Sequence, residues 1–136
     1  MPQPGRAKPD PHRRLIEVLD AREHSLRERI AERRAALESA AAAPDPAGDA
    51  GDIAFDHTRA EVEHDLIERS LRELGQIAAV RSRIAAGSYG ECLDCMEPID
   101  PARLEINPLA RRCTACQEIF ERRGGSYGRP WRERCA

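Results

Sequence analysis

Aromatic residues make up only 4% of the 136 positions while 34% are charged, a composition that argues against a large compact core. The length suits one domain, or one small globular unit carrying an extended element. No apolar run approaches the roughly 20 residues that cross a bilayer, so a membrane span is not expected. An excess of basic charge is also missing. The 22 Lys and Arg against 24 Asp and Glu leave a net charge of −2, which offers no footprint for sequence-specific DNA contact. Met1 to Asp10 is polar and proline-rich where a secretory signal would be apolar, and a cytoplasmic location is expected. Finally, His12, His24, His57 and His64 are scattered, and none stands at a recognisable spacing from a nucleophile. His57 and His64 are a heptad apart and share a helix face, yet surface histidines of this kind are commonly just solvated. No enzymatic activity is expected.

What is present is concentrated in four cysteines. Cys92-Leu-Asp-Cys95 is followed, after seventeen residues, by Cys113-Thr-Ala-Cys116. Each CxxC bends into a knuckle offering two sulfurs, and the intervening chain can bring the knuckles face to face around a tetrahedral ion. Two disulfides, a redox dithiol and an iron–sulfur cluster are the alternatives. A reducing cytoplasm disfavours the first, and the lack of a strand-rich context disfavours the second. One structural Zn2+ on Cys92, Cys95, Cys113 and Cys116 is the expectation; four thiolates close its shell and leave no position for substrate. The surrounding apolar weight is small: Ile99, Leu104, Ile106, Leu109, Ile119 and Phe120. Metal binding would supply most of this region's folding free energy, on the order of 10 kcal/mol. Cys135 is left over as an incidental thiol, and Trp131 has no evident partner.

Ahead of the cysteines the pattern is helical. After an irregular leader over residues 1–11, Ile16, Leu19, Leu26, Ile30, Leu37 and Ala40 alternate at three and four, with Glu23 and Arg33 as polar interruptions. The spacing predicts a helix over about 11–43, stopped by Pro44-Asp45-Pro46. A second helix is expected to start between Ile53 and Thr58, where Thr58-Arg-Ala-Glu61 fits a capping box. It carries a broad stripe of Val62, Leu66, Ile67, Leu71, Leu74, Ile77, Ala78 and Ile84, and stops at Gly87. The fold class is therefore mostly α: a long antiparallel coiled-coil hairpin over 12–86 with its tip at 44–54, a four-cysteine zinc finger over 87–123 and a tail over 124–136. Gln117 to Arg123 is expected to form a short terminal helix packed through Ile119 and Phe120. A hairpin whose two seams satisfy each other is expected to be monomeric.

The tip concentrates Asp45, Asp49, Asp52 and Asp56. One aspartate suffices to cap a helix, so four suggest delivery of negative charge into a basic or metal-containing cavity of a partner. Hairpin, acidic tip and finger, in this order, resemble the DksA/TraR family of bacterial transcription factors. Gly87-Ser-Tyr-Gly90, Pro98-Ile99, Arg103-Leu104, Pro108 and Ala110 follow the signature that the family builds around its two CxxC pairs. Asp49-Ala-Gly-Asp52-Ile-Ala54 fits its D-x-x-D-x-A tip motif.

The resemblance implies an arm that enters the secondary channel of bacterial RNA polymerase, with Asp49, Asp52 and Ala54 near the catalytic centre. It implies destabilised promoter open complexes, inhibition at ribosomal RNA promoters and activation at some biosynthetic ones, in a stringent response that often involves ppGpp. Gln76, Asn107 and Gln117 are neutral where alarmone-responsive members are basic, and Arg69, Arg111 and Arg112 are the candidates to substitute for them. Two other readings stay open: a nucleic-acid-binding zinc ribbon, on the arginines near the finger, and a zinc-stabilised coiled-coil scaffold.

Overall fold

The computed structural model describes residues 11–43 and 50–124. Residues 44–49, which include Asp45 and Asp49, and the positions of Trp131 and Cys135 lie outside the described residues. The chain divides into two compact units at the junction of Ala79 and Val80. Four helices follow one another: α1 over Arg13–Ala42, α2 over Ala50–Ala86, α3 over Pro101–Ile106 and α4 over Thr114–Arg122. The described residues contain no strand, and a single antiparallel bridge joins Glu91 to Pro98.

The first unit is the helical hairpin. Its antiparallel sense is fixed by two ion pairs: Arg22 reaches Glu73 at 2.6 Å and Arg33 reaches Glu63 at 2.5 Å, so partner numbers fall as one climbs α1. Seen from α1 the expected heptad holds closely. Leu19, Leu26 and Ile30 are buried, and Ile16, Glu23, Arg33 and Leu37 are half-buried at the intervening positions. Ala40 departs from it and is exposed. Towards the tip the seam residues shrink, and a cleft of about 450 Å³ opens between Ala36, Leu37 and Ala40 on one side and Asp56 and Ala60 on the other.

Two expectations for α2 are corrected. The helix starts at Ala50, earlier than the Ile53–Thr58 window. Thr58 is therefore not a cap: its hydroxyl donates to the Ala54 carbonyl at 3.0 Å, one turn back, and Glu61 lies beside His57 at 3.4 Å. Between Gly51 and Thr58 nothing forces the backbone out of the helix, and Asp52 in the first turn suits the free amides there. The apolar stripe is also narrower than expected. Val62 (51% exposed) and Leu71 (43%) point to solvent, as does Ala78. The inward positions are Ala60, Glu63, Ile67, Ser70, Leu74 and Ile77, again alternating at three and four. Two of them are polar and hid the register. Glu63 belongs there because it meets Arg33, and the Ser70 hydroxyl is satisfied by the Leu66 carbonyl at 3.0 Å.

Burial predicts where the hairpin is sensitive. Leu26→Ala, at a 2% exposed position, should cost about 2–5 kcal/mol in urea unfolding, whereas Val62→Ala should stay within about 0.5 kcal/mol of wild type. Thr58→Ala should likewise be close to neutral; a loss near 1 kcal/mol would restore the capping-box start.

Candidate metal centre and hairpin tip

In the second unit, α2 ends in a Schellman turn. Gly87 takes φ +75°, its N–H reaches the Ile84 carbonyl at 3.1 Å, and the Ser88 N–H reaches the Arg83 carbonyl at 2.9 Å. Arg83 also donates from its guanidinium to the carbonyls of Ser88, at 3.1 Å, and Glu91. The chain then enters the first knuckle through Gly90 at φ +89°, where an added Cβ would touch the Leu104 side chain at 3.5 Å. The Cys92 N–H bonds the Glu97 carbonyl at 2.8 Å and the Met96 N–H bonds the Cys92 carbonyl at 3.0 Å, which folds the loop over the two sulfurs with Met96 at φ +64°.

The segment between the knuckles, to which the sequence analysis assigned no element, carries helix α3. Asp100 accepts from the Ala102 N–H at 2.9 Å with Pro101 opening the helix, so Asp-Pro is the start signal for α3 that the sequence carried. Asn107 closes it and accepts from the Leu109 N–H at 3.3 Å. The other signature positions have comparable tasks. Tyr89 donates to the Pro108 carbonyl at 3.1 Å, the Ile99 N–H bonds the Gly90 carbonyl at 2.7 Å, and Ile99 and Ala110 are buried. The short terminal helix also begins earlier than expected: α4 starts at Thr114 and carries Cys116, with Cys113 as its N-cap. Ile106 is 87% exposed and Ile119 46% exposed, so neither supplies the packing expected of it. Phe120 instead lies under the Arg112 guanidinium, 4.0 Å from ring centroid to charge.

All four sulfurs converge. Cys92, Cys95, Cys113 and Cys116 lie within 4.8 Å of one another, with Cys95 and Cys113 at 3.9 Å. Four thiolates at the usual zinc–sulfur bond length of about 2.3 Å would stand roughly 3.8 Å apart, so the cluster fits the ion. Its electrostatics point the same way. Burial pushes the Cys92 thiol up, but hydrogen bonds from the backbone of Cys95, Cys113 and Asp94 outweigh it and bring it down to about 6. Cys116 is pushed well up, first by burial and then by the neighbouring thiols and the Cys92 charge. At Cys95 the Glu97 backbone pulls down, while Cys92 and burial raise the net value. Sulfurs this close cannot all ionise without a cation among them. The zinc is structural: it cross-links the two knuckles, and no position remains for a reacting ligand.

Elsewhere the candidate residues are separate. Asp52 and Ala54 are exposed at the start of α2, in the first unit, and Asp49 lies outside the described residues. Arg69 is exposed on α2 in the first unit, whereas Arg111 and Arg112 belong to the second. Among the described arginines near the finger, Arg112 meets Asp94 at 2.7 Å, Arg103 the Arg112 carbonyl at 3.2 Å and Arg122 Glu118 at 3.5 Å, while Arg129, Arg132 and Arg134 lie outside the described residues. Among the described residues no helix is long and apolar enough to cross a membrane.

A helical hairpin followed by a four-thiolate finger defines the class: a zinc-finger protein with a coiled-coil arm. Residues 87–122 match the family model for the prokaryotic dksA/traR C4-type zinc finger. Over 69 residues the chain is 36% identical to an 8.2 kDa protein of Escherichia phage P2, spanning 51% of this chain and 85% of that one. It is also 36% identical over 75 residues to the RNA polymerase-binding transcription factor DksA of Caulobacter vibrioides, covering 55% of this chain and 53% of that protein. It thus spans about half the length of that DksA. Its fold matches the structure of transcription factor DksA2 from Pseudomonas aeruginosa with a TM-score of 0.68 at 28% identity, over 81% of this chain and 82% of the other. The chain belongs to the DksA/TraR family.

Because Cys95 and Cys116 hold their protons more tightly than a free thiol, zinc uptake at pH 7 should release them. The sign follows: protonation favours the metal-free state, so affinity falls as pH falls. Calorimetry in buffers of different ionisation enthalpy should show the release, and an enthalpy independent of buffer would mean a site already ionised. Chelation should unfold the finger while most of the far-UV helical signal survives.

Proposed function

We propose that this chain binds bacterial RNA polymerase and regulates initiation by passing its hairpin through the secondary channel, presenting Asp49, Asp52 and Ala54 to the active-site region. One observation carries this reading. In a chain of the DksA/TraR family, the helix that begins at the hairpin's far end exposes aspartates, Asp52 in its first turn and Asp56 one turn on. Helix α1 alone has 30 residues, about 45 Å at 1.5 Å per residue, which is a useful reach for a rigid arm. Carboxylates delivered into a cavity holding metal ions and basic groups perturb both strongly, because water there is scarce. The chemistry stays with the polymerase; this protein contributes charge and position and is itself no enzyme.

On this reading the protein works in the cytoplasm as a monomer and lowers open-complex stability, which represses ribosomal RNA promoters. A contribution from ppGpp would draw on Arg69 and Arg111. Arg112 would first have to leave Asp94, so cooperation with the alarmone is expected to be modest.

The test is multi-round transcription from a ribosomal RNA promoter with wild type and with Asp49→Asn/Asp52→Asn, each with and without ppGpp. Wild type should inhibit, and the double variant should lose inhibition while still binding polymerase and keeping its circular dichroism. No effect of wild type under any condition, or full inhibition by the variant, would sink the proposal.

A further inference from the structure

Arg112 precedes Cys113 and so opens the second knuckle, while Asp94 sits inside the first, between Cys92 and Cys95. The Arg112 Nε donates to Asp94 Oδ2 at 2.7 Å, and the two side chains are only 12% and 32% exposed. The same guanidinium covers the ring of Phe120 on α4, the helix that carries Cys116. One side chain, itself next to Cys113, therefore touches both the loop that bears Cys92 and Cys95 and the helix that bears Cys116. Its own backbone is held as well: Arg103 Nε donates to the Arg112 carbonyl at 3.2 Å, and the Leu93 N–H bonds the Arg111 carbonyl at 3.0 Å.

We infer that the Asp94–Arg112 pair is a strut that holds the two CxxC knuckles in register for the metal, with Arg112 as a positioning residue for zinc and not an anion-binding one. An exposed ion pair would do little, because water screens it and side-chain entropy opposes it. This pair is mostly shielded from water, is charge-assisted, and has its guanidinium plane fixed by the aromatic ring, so little rotamer freedom is left to lose. The knuckles have scant apolar packing of their own. Without the strut the Cys92–Cys95 and Cys113–Cys116 pairs can swing apart, and zinc leaves by stepwise loss of sulfurs. The inference rests on the metal site alone and is independent of any polymerase partner.

Transfer of zinc from the full-length loaded protein to 4-(2-pyridylazo)resorcinol measures the effect directly. Arg112→Met and Asp94→Asn should each speed release by about 10-fold or more, the lower end of what loss of the groups that orient metal ligands does to metal binding. The double variant should be no faster than the faster single one, since Asp94→Asn takes the charge from the same strut that Arg112→Met removes. Arg122→Met, which removes a solvent-facing pair with Glu118, should release zinc at the wild-type rate. Asp94→Asn keeps the side chain's size and carries the test even if Arg112→Met folds poorly. Wild-type release from Asp94→Asn, or effects of the two substitutions that multiply in the double variant, would overturn the strut.

Discussion

Four sulfurs within 4.8 Å of one another cannot all be thiolates unless a cation sits among them, and the finger's structure follows from that constraint. Its buried apolar side chains are few, chiefly Cys92, Ile99 and Ala110, and so small a core cannot offset the conformational entropy of ordering two knuckles and two short helices. The metal supplies what packing does not. Much of the family signature can then be understood as the scaffold that presents sulfurs to it: Gly87 ends α2, Gly90 lets Leu104 approach, Tyr89 bonds Pro108, and Ala110 fills the space beneath.

The hairpin obeys a different rule. Its cohesion comes from Leu19, Leu26, Ile30, Ile67 and Ile77 at heptad spacing, and it tolerates charge on the seam where a partner of opposite sign faces it, as Arg33 faces Glu63. Beyond that pair only Leu37 and Ala60 are half-buried among the described residues, and a cleft opens between the helices. Cohesion is thus concentrated away from the end that carries Asp52 and Asp56. The apolar seam holds the two helices together, and the acidic end of α2 takes little part in that packing.

The first helix, the hairpin topology and the four metal ligands were legible because each rests on local or strictly periodic information. Leu19, Leu26 and Ile30 announce their face at three-and-four spacing, and a CxxC pair announces its chemistry in four residues. The second seam was only partly legible because its polar members Glu63 and Ser70 do not stand out in an apolar stripe, while the apolar Val62 and Leu71 were counted in it and face solvent. Each is explained only by what lies across from it. Thr58 misled in the same way: a hydroxyl that can cap a helix can equally bond one turn back inside it.

By itself, then, the sequence determined the helical class, the hairpin, the ligands of the zinc and the family, since these depend on residue type and spacing along one chain. Tertiary structure decided where α2 begins, which side chains of α2 face inward, that Ile106 and Ile119 face water, and that Arg112 is committed to Asp94 and Phe120. The physical reason is common to these cases. Burial and charge pairing are properties of two surfaces in contact, and a chain read one residue at a time exposes only one of them.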